Sequence, residues 1–323
     1  MTSALDTDSR ERRIGLARVA IAGLIWGSIP LVLRAADGAS VVKVFFRVFC
    51  AALVVGAYML ATGNWRELQG LPAAKWRQVI GQGLILTLNW FLFLTALDMT
   101  DVATAELLGY TGPVFVAAFA PFVTQERFDR RILAPLTLAL GGIVVILTQH
   151  GLDFGSGPKL IGALLAFASA LTYATLLLRS KKILLGISSG ALMVVEYSVA
   201  SIVLAPFVVA AYARGDGPSS GNAYAALITL GIVHTAITGF IFLGGLRRVR
   251  TDHAAILTYV EPVSAVFMAA LFLGEALTAL TLIGGGLVVA GGLAVARLKR
   301  RPEAHEFEPL ELAGLAGDDE PTV

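Results

Sequence analysis

The stretch ILTYVEPVSAVFMAALFLGE, residues 256–275, is almost entirely apolar, yet it carries Glu261 directly before Pro262. The stretch LLGYTGPVFVAAFAPFVTQE, residues 107–126, has the same layout. Three pairs of residues stand 149 positions apart in the two stretches, namely Tyr110 and Tyr259, Pro113 and Pro262, and Glu126 and Glu275. Apolar helices share Leu, Ala and Gly by chance, but Tyr-x-x-Pro followed thirteen residues later by Glu is not an effect of composition. The spacing predicts an internal duplication.

Composition indicates a membrane protein. Of the 323 residues, 56% are hydrophobic and 15% are charged, against about 45–50% and about 25% in soluble domains. The mean hydropathy is +0.77. A net charge of +2, without a basic cluster interleaved with aromatic residues, argues against a nucleic-acid partner. Cys50 is the only cysteine, which excludes an intramolecular disulfide and a Cys-based zinc site.

The apolar runs predict an all-α integral membrane protein, because a bilayer is crossed by helices of about 20 mostly apolar residues. We expect ten transmembrane helices, five in each half, at residues 16–33, 40–61, 78–97, 101–123, 131–149, 159–178, 190–212, 223–245, 252–273 and 279–297. Residues 1–17 are predicted to be a cytoplasmic N-terminal segment, and the acidic residues 302–323 a disordered cytoplasmic tail.

The distribution of Lys and Arg predicts the orientation of these helices. With the N-terminus in the cytoplasm, 20 of the 25 Lys and Arg residues fall in cytoplasmic segments, four fall outside, and Arg47 lies within a span. Both termini are then cytoplasmic, and we expect a multi-pass protein of the plasma (inner) membrane. Because five is odd, the second half enters the bilayer in the opposite sense. Inverted repeats are common in secondary transporters, whose substrate site lies near the midplane between the repeats.

Several motifs resemble a known family. They are LIWGSIPLVLR at residues 24–34, VVKVFFRVFC at 41–50, ALDMTDVATAELLGYTGPVF at 96–115, and the EP, LGE and glycine-rich motifs within residues 253–295. Over residues 18–297 the chain resembles the drug/metabolite transporter (DMT) superfamily, specifically its EamA-type ten-helix members, with five-helix repeats at 18–149 and 159–297. VTQERF at 123–128 departs from the family's Leu-Gly-Glu-type ending. The resemblance implies a basket of ten helices around a central cavity that moves small metabolites, commonly outward.

The matched prolines predict helix kinks. Proline within a helix removes one hydrogen bond, so Pro113 is expected to free the carbonyl of Gly109 and Pro262 that of Thr258. Free backbone at bilayer depth is tolerated only where it faces protein or a wet cavity. The kinks therefore point to a site in each half, although they are also compatible with a role in shaping the bundle alone.

Five ionisable residues fall within the spans: Arg47, Glu106, Glu196, His234 and Glu261. A charge at the centre of a lipid-facing helix costs about 2.5–3.5 kcal/mol, so these side chains are expected to face inward. Arg47 suits a carboxylate, either a glutamate partner or an anionic substrate group. The alternatives stay open: a helix-locking ion pair for Arg47, a position near the interface for Glu106 and Glu196, and a packing role for His234.

Further residues are candidates for lining a substrate cavity. These are Trp26, Asn89, Trp90, Tyr110, Tyr173 and Tyr259. Aromatic residues also anchor helices at the membrane interface, which suits Trp65 and Trp76. Glu126 and Glu275 end their helices and are expected to cap or pair with loops.

Motifs for catalysis are poor. GISSG at 186–190 matches G-x-S-x-G but lies between two predicted helices, and neither a P-loop nor H-E-x-x-H is present. We expect no cofactor and no metal, and not an enzyme. The favoured interpretation is a secondary transporter for amino acids or related polar metabolites, acting in efflux by alternating access. An exporter of amphipathic drugs, a membrane-embedded enzyme and a structural membrane protein are the alternatives. If protons are the coupling ion, Glu261 or Glu106 would carry them.

Overall fold

The computed structural model describes residues 2–124, 126–149, 151–152, 157–274 and 277–298, with side chains from residue 9 onward. These residues are nearly all helical and contain no strand. Within these described residues, ten helical segments are long and apolar enough to cross a membrane, which confirms the predicted fold class. Gln125, Glu275 and the predicted acidic tail at 302–323 lie outside the described residues.

The ten segments are called spans 1 to 10 in chain order. They are Ser9–Leu33, Ser40–Ala61, Ala73–Met99, Val102–Val123, Arg130–Thr148, Pro158–Ile183, Ser189–Ala213, Gly221–Leu246, Thr251–Leu273 and Ala279–Arg297. The first helix begins earlier than its span, at Thr2, and a short helix, Arg66–Gln69, separates spans 2 and 3. Spans 1, 3 and 6 extend furthest beyond the predicted limits, because hydropathy marks only the apolar part of a helix that continues into the polar region.

Three spans are interrupted two or three residues before a proline. Span 1 divides into Thr2–Trp26 and Ile29–Leu33, span 4 into Val102–Gly109 and Gly112–Val123, and span 9 into Thr251–Leu257 and Val260–Leu273. Each proline stands in the first turn of the second segment, where its missing N–H is tolerated.

The interruption of span 9 gives a hydrogen-bond donor to the carbonyl of Thr258, which Pro262 was expected to free. The carbonyl of Thr258 accepts a hydrogen bond from the backbone N–H of Glu261 at 2.9 Å. The chain therefore breaks its helix and closes a tight turn at this point, so this carbonyl is not left open.

The two five-helix repeats exchange their first spans, since the first span of each repeat packs against helices of the other repeat. Span 1 packs against spans 8 and 9, and span 6 packs against spans 3 and 4. Span 2 packs against span 7, and span 5 against span 10. If each span is replaced by the span at the same position in the other repeat, so that 1 becomes 6 and 8 becomes 3, the same set of contacts results. The ten spans thus form two five-helix repeats related by an approximate two-fold axis.

The contact between spans 5 and 10 shows this symmetry at the level of single residues. A methyl group on Gly142 would lie 2.4 Å from the carbonyl oxygen of Gly284, and one on Gly291 would lie 2.7 Å from the carbonyl oxygen of Pro135. Gly291 and Gly284 follow Gly142 and Pro135 by 149 positions. Each contact is therefore the repeat of the other, and both need a residue without a side chain.

Glu126 joins the repeats at the end of span 4. Its carboxylate accepts hydrogen bonds from the N–H of Thr251 at 3.0 and 3.1 Å and from its hydroxyl at 2.9 Å. The carboxylate therefore caps the first turn of span 9, where a negative charge is favoured. Burial raises the pKa of Glu126, as does the charge of Asp252, while the bonds from Thr251 and the charge of Arg250 oppose this.

We predict that Gly142→Ala lowers the thermal unfolding temperature of the purified protein in detergent. The added methyl group would meet the backbone of Gly284 and force spans 5 and 10 apart, at a cost of about 1–3 kcal/mol. Gly141→Ala is the matched control, since a methyl group there meets no atom within 4 Å and alanine favours the helix. Equal unfolding temperatures for the two variants would contradict the close contact.

Candidate functional site

The interruptions of spans 4 and 9 meet each other. The hydroxyl of Tyr259 donates a hydrogen bond to the carbonyl oxygen of Tyr110 at 2.5 Å. The two rings pack edge to face, with their centroids 6.2 Å apart. From span 6, the hydroxyl of Tyr173 lies 3.3 Å from the hydroxyl oxygen of Thr258. The two breaks and span 6 therefore form a single polar junction in the middle of the bundle.

Carboxylates lie next to this junction. Glu261, in the first turn after the break in span 9, is close enough to Arg47 and to Glu106 for electrostatic interaction with both. Tyr110 and Tyr173 are within the same range of Glu261. The structure thus brings together four predicted site residues from spans 2, 4 and 9 and one from span 6.

Three carboxylates within the spans lack hydrogen-bond donors among the described residues. In the described part of the chain no group donates a hydrogen bond to the side chains of Glu106, Glu196 or Glu261. Their oxygens are nevertheless absent from the sealed, unpartnered polar atoms of the interior, which belong to His234 and His253. Glu106 and Glu261 are partly exposed and Glu196 is buried, so the carboxylate oxygens are not sealed within the packed interior.

The guanidinium group of Arg47 is hydrogen-bonded through one of its three nitrogens and, among the described residues, unpartnered at the other two. Its Nε donates to the hydroxyl oxygen of Thr235 at 2.8 Å, and its guanidinium carbon lies 5.2 Å from the ring centroid of Trp90. Such a distance permits a cation–π interaction. Its two terminal nitrogens bind no described residue, and none of the ion pairs among described residues includes Arg47. A fork with two free nitrogens fits a carboxylate.

A π-helical turn in span 8 holds Arg47 in place. Residues Leu230–Ile237 form this turn, and the hydroxyls of Thr235 and Thr238 donate to the carbonyls five residues earlier, at 2.9 and 2.8 Å. The hydroxyl oxygen of Thr235 is therefore oriented to accept from Arg47. Turns of this kind often occur at functional sites.

The same turn connects span 8 with span 1. The indole nitrogen of Trp26 donates to the carbonyl of His234 at 2.8 Å, and the hydroxyl of Ser28 lies 2.9 Å from Nε2 of His234. His234 is buried. Its role in this geometry is to join two helices beside Arg47, with which it interacts electrostatically.

Span 1 reaches this region because of Gly27. A methyl group on Gly27 would lie 1.7 Å from the side-chain oxygen of Ser264 and 2.8 Å from the carbonyl oxygen of Glu261. Only glycine lets the backbone of span 1 pass the break in span 9 at this distance. Trp26, the preceding residue, is thereby brought to the edge of the site.

Two of the predicted site residues lie further from the junction. The amide nitrogen of Asn89 donates to the carbonyl of Ser169 at 2.7 Å and to the hydroxyl of Thr172 at 2.9 Å, so it joins span 3 to span 6. Glu196 is buried in span 7 and reaches the cluster through Tyr197, which interacts electrostatically with both Glu196 and Arg47.

Sequence inspection missed Thr235, Tyr197 and the hydroxyl of Thr258, which complete the site. Each is adjacent to a residue that the sequence had singled out, namely His234, Glu196 and Tyr259. A polar residue in an apolar span is a weak signal in itself. The role of Thr235 depends on a π turn, which no residue pattern announces.

Comparison with known proteins identifies the family. A model of the EamA-like transporter family matches residues 13–148 and 160–297, once for each repeat. The chain belongs to this family. The match confirms the expected EamA-type membership of the DMT superfamily, and with it the duplication.

Several related proteins are transporters by name. An uncharacterised transporter of Archaeoglobus fulgidus is 28% identical over 281 residues, which cover 87% of this chain and 96% of that protein. The pseudopaline exporter CntI of Pseudomonas aeruginosa is 26% identical, covering 80% and 86%. A probable amino-acid metabolite efflux pump of Salmonella typhimurium is 27% identical, covering 68% and 76%.

A solved crystal structure shows the same fold. It aligns with a TM-score of 0.75 at 22% identity and covers 91% of this chain and 99% of its own. Family and relatives together indicate a multi-pass membrane transporter that acts on small molecules.

We predict that Thr235→Val destabilises the protein while Thr235→Ser does not. Valine keeps the shape but deprives Leu230 of a donor and Arg47 of an acceptor, and an unsatisfied buried group costs about 1–3 kcal/mol. Thermal unfolding in detergent measures the difference. A valine variant as stable as the serine variant would show that Thr235 does not hold Arg47.

Proposed function

We propose that this EamA-like transporter exports small zwitterionic metabolites, amino acids or close relatives, by alternating access. The observation that carries the proposal is the free guanidinium edge of Arg47 within electrostatic range of the unpartnered carboxylate of Glu261, which is itself in range of Glu106. A molecule with one carboxylate and one ammonium group would satisfy both charges at once. A charge that loses water without gaining a partner is costly, so such a molecule would favour closure of the site around it.

The names of two relatives favour this substrate class and direction. One is an exporter of pseudopaline and the other a probable efflux pump for amino-acid metabolites. Aromatic faces around the site, those of Trp90 and Tyr110, would accommodate an organic side chain. An exporter of amphipathic drugs would use the same aromatic faces but would have no need of Arg47.

The moving parts in this proposal are two groups of helices, each of which contains the first span of the other repeat. Spans 1, 8 and 9 pack together, as do spans 3, 4 and 6. The groups touch at the junction of Tyr110 and Tyr259. Rocking about this junction would expose Arg47 and Glu261 to one side of the membrane at a time, as in other inverted-repeat carriers.

Topology completes the proposal. The distribution of Lys and Arg supports placing both termini in the cytoplasm of a plasma-membrane protein, with residues 1–17 and 302–323 flanking repeats at 18–149 and 159–297. Protons are the proposed coupling ion, since the carboxylates of Glu261 and Glu106 lie within electrostatic range of each other and neither is sealed within the packed interior.

Arg47→Ala is expected to reduce transport of amino acids in proteoliposomes at least tenfold and to leave transport of their uncharged N-acetyl amides almost unchanged. The reason is that only the former offer a carboxylate to the guanidinium. Radiolabelled amino acids and amides are the probes. Lys43→Ala, one turn earlier on the same helix, is the control. An equal loss for both kinds of compound would indicate a structural role for Arg47, and transport of amphipathic drugs alone would favour the second function.

Glu261→Gln is expected to abolish the pH dependence of amino-acid flux in proteoliposomes, because glutamine cannot take up a proton. Flux is measured from pH 5.5 to 8.5, with Asp98→Asn, an exposed carboxylate in span 3, as the control. A variant that keeps the pH profile of the unsubstituted protein would remove Glu261 from proton coupling, and Glu106→Gln would then be measured in the same way.

A further inference from the structure

We propose that Tyr110 and Tyr259 exchange hydrogen-bonding roles when the protein passes between its two access states. In the conformation described here, the hydroxyl of Tyr259 donates to the carbonyl of Tyr110. In the opposite conformation, the hydroxyl of Tyr110 donates to the carbonyl of Tyr259. This inference rests on the proposed alternating access and assigns the residues that distinguish the two states.

The position of the pair on the symmetry axis is the first argument. Tyr110 and Tyr259 are each other's repeat copies, 149 positions apart, and they bind each other directly. A residue contacts its own copy only where the two-fold axis passes between the two. The reciprocal glycine contacts of spans 5 and 10 establish that axis independently.

The second argument is that the bond breaks the symmetry. A perfect two-fold axis would require two bonds, one from each hydroxyl to the opposite carbonyl. Only the bond from Tyr259 is formed, and the hydroxyl of Tyr110 has no hydrogen-bond partner among the described residues. The two repeats therefore differ in conformation at this point, as alternating access by an inverted repeat requires.

The environments of the two rings differ in the same sense. Tyr259 is fully buried at 0% exposure, whereas Tyr110 is partly exposed and is within electrostatic range of Glu106 and Glu261. The tyrosine whose hydroxyl is free faces the carboxylates of the substrate site. Exchange of roles would withdraw this hydroxyl and present that of Tyr259.

The backbone at both positions suits an exchange. Tyr110 and Tyr259 each lie in the interruption of their span. Pro113 and Pro262, three residues later, have no N–H with which to close a tight turn onto the tyrosine carbonyls. The N–H of Val114, the α-helical donor for the carbonyl of Tyr110, binds the carbonyl of Thr111 instead at 2.9 Å. The matched prolines thus remove one local donor that would compete with the hydroxyl of the other tyrosine.

The test measures the population of the two conformations by spin-label distances in the full-length protein in lipid nanodiscs. Cys50→Ser removes the only native thiol. One label pair, at Arg13 and Lys182, reports on one end of the bundle. A second pair, at Ala35 and Asp98, reports on the other. All four positions are exposed, and each pair joins the two groups of helices that exchange their first spans.

Opposite effects of two matched substitutions are expected. Tyr259→Phe removes the hydrogen bond that stabilises the conformation described here. The ratio of this conformation to the opposite one should therefore fall about two- to tenfold, the usual effect of one hydrogen bond. Tyr110→Phe should raise the same ratio by a similar factor. The double variant should return the ratio close to that of the unsubstituted protein, and Tyr58→Phe, at an exposed position in span 2, should leave it unchanged.

The outcomes separate this inference from the proposed function. Single, invariant distances at both ends in the unsubstituted protein and in every variant would overturn alternating access itself. If two conformations are present but both single variants shift their ratio in the same direction, or neither variant shifts it, alternating access stands and the exchange is overturned. If one single variant fails to fold, the remaining one still decides the outcome, because exchange requires its ratio to differ from that of the unsubstituted protein in the stated direction.

Discussion

Backbone satisfaction inside a bilayer is the constraint on which the structure depends. Every N–H and C=O at that depth needs a partner within the protein, and Pro113 and Pro262 prevent spans 4 and 9 from meeting this need alone. The breaks are satisfied by a tight turn at Thr258 and by the bond between Tyr259 and Tyr110. Two elements that are incomplete separately are thus complete together, which fixes the centre of the molecule where the repeats meet.

Three charged side chains of the bundle interior lie near the junction of Tyr110 and Tyr259. The interior has too few partners to neutralise Arg47, Glu106 and Glu261, and it holds Arg47 by its inner edge through Thr235 and Trp90. Glu106 and Glu261 stay partly exposed. Because Glu261 stands in the first turn after the break in span 9, the charges lie beside the interruption of the backbone.

The sequence was sufficient for the ten spans, because hydropathy over about 20 residues measures the property that the bilayer selects. The duplication was visible through Tyr110, Pro113 and their copies, since proline and tyrosine are rare enough in apolar helices for their spacing to be informative. Thr235 and the π turn were not predictable, because a wider turn differs from an α-helical turn by the partners of its carbonyls. The exchange of the first spans was hidden for a similar reason: hydropathy identifies a helix without its neighbours.

That exchange affects biogenesis. Span 1 leaves the ribosome first, yet its packing partners are spans 8 and 9, which are synthesised only after most of the chain has entered the membrane. Until then Trp26 has no carbonyl from His234 to bind, and Gly27 has no helix against which to pack. The five helices of the first repeat consequently do not constitute an independently complete folding unit, and the native bundle closes only after the second copy has been inserted.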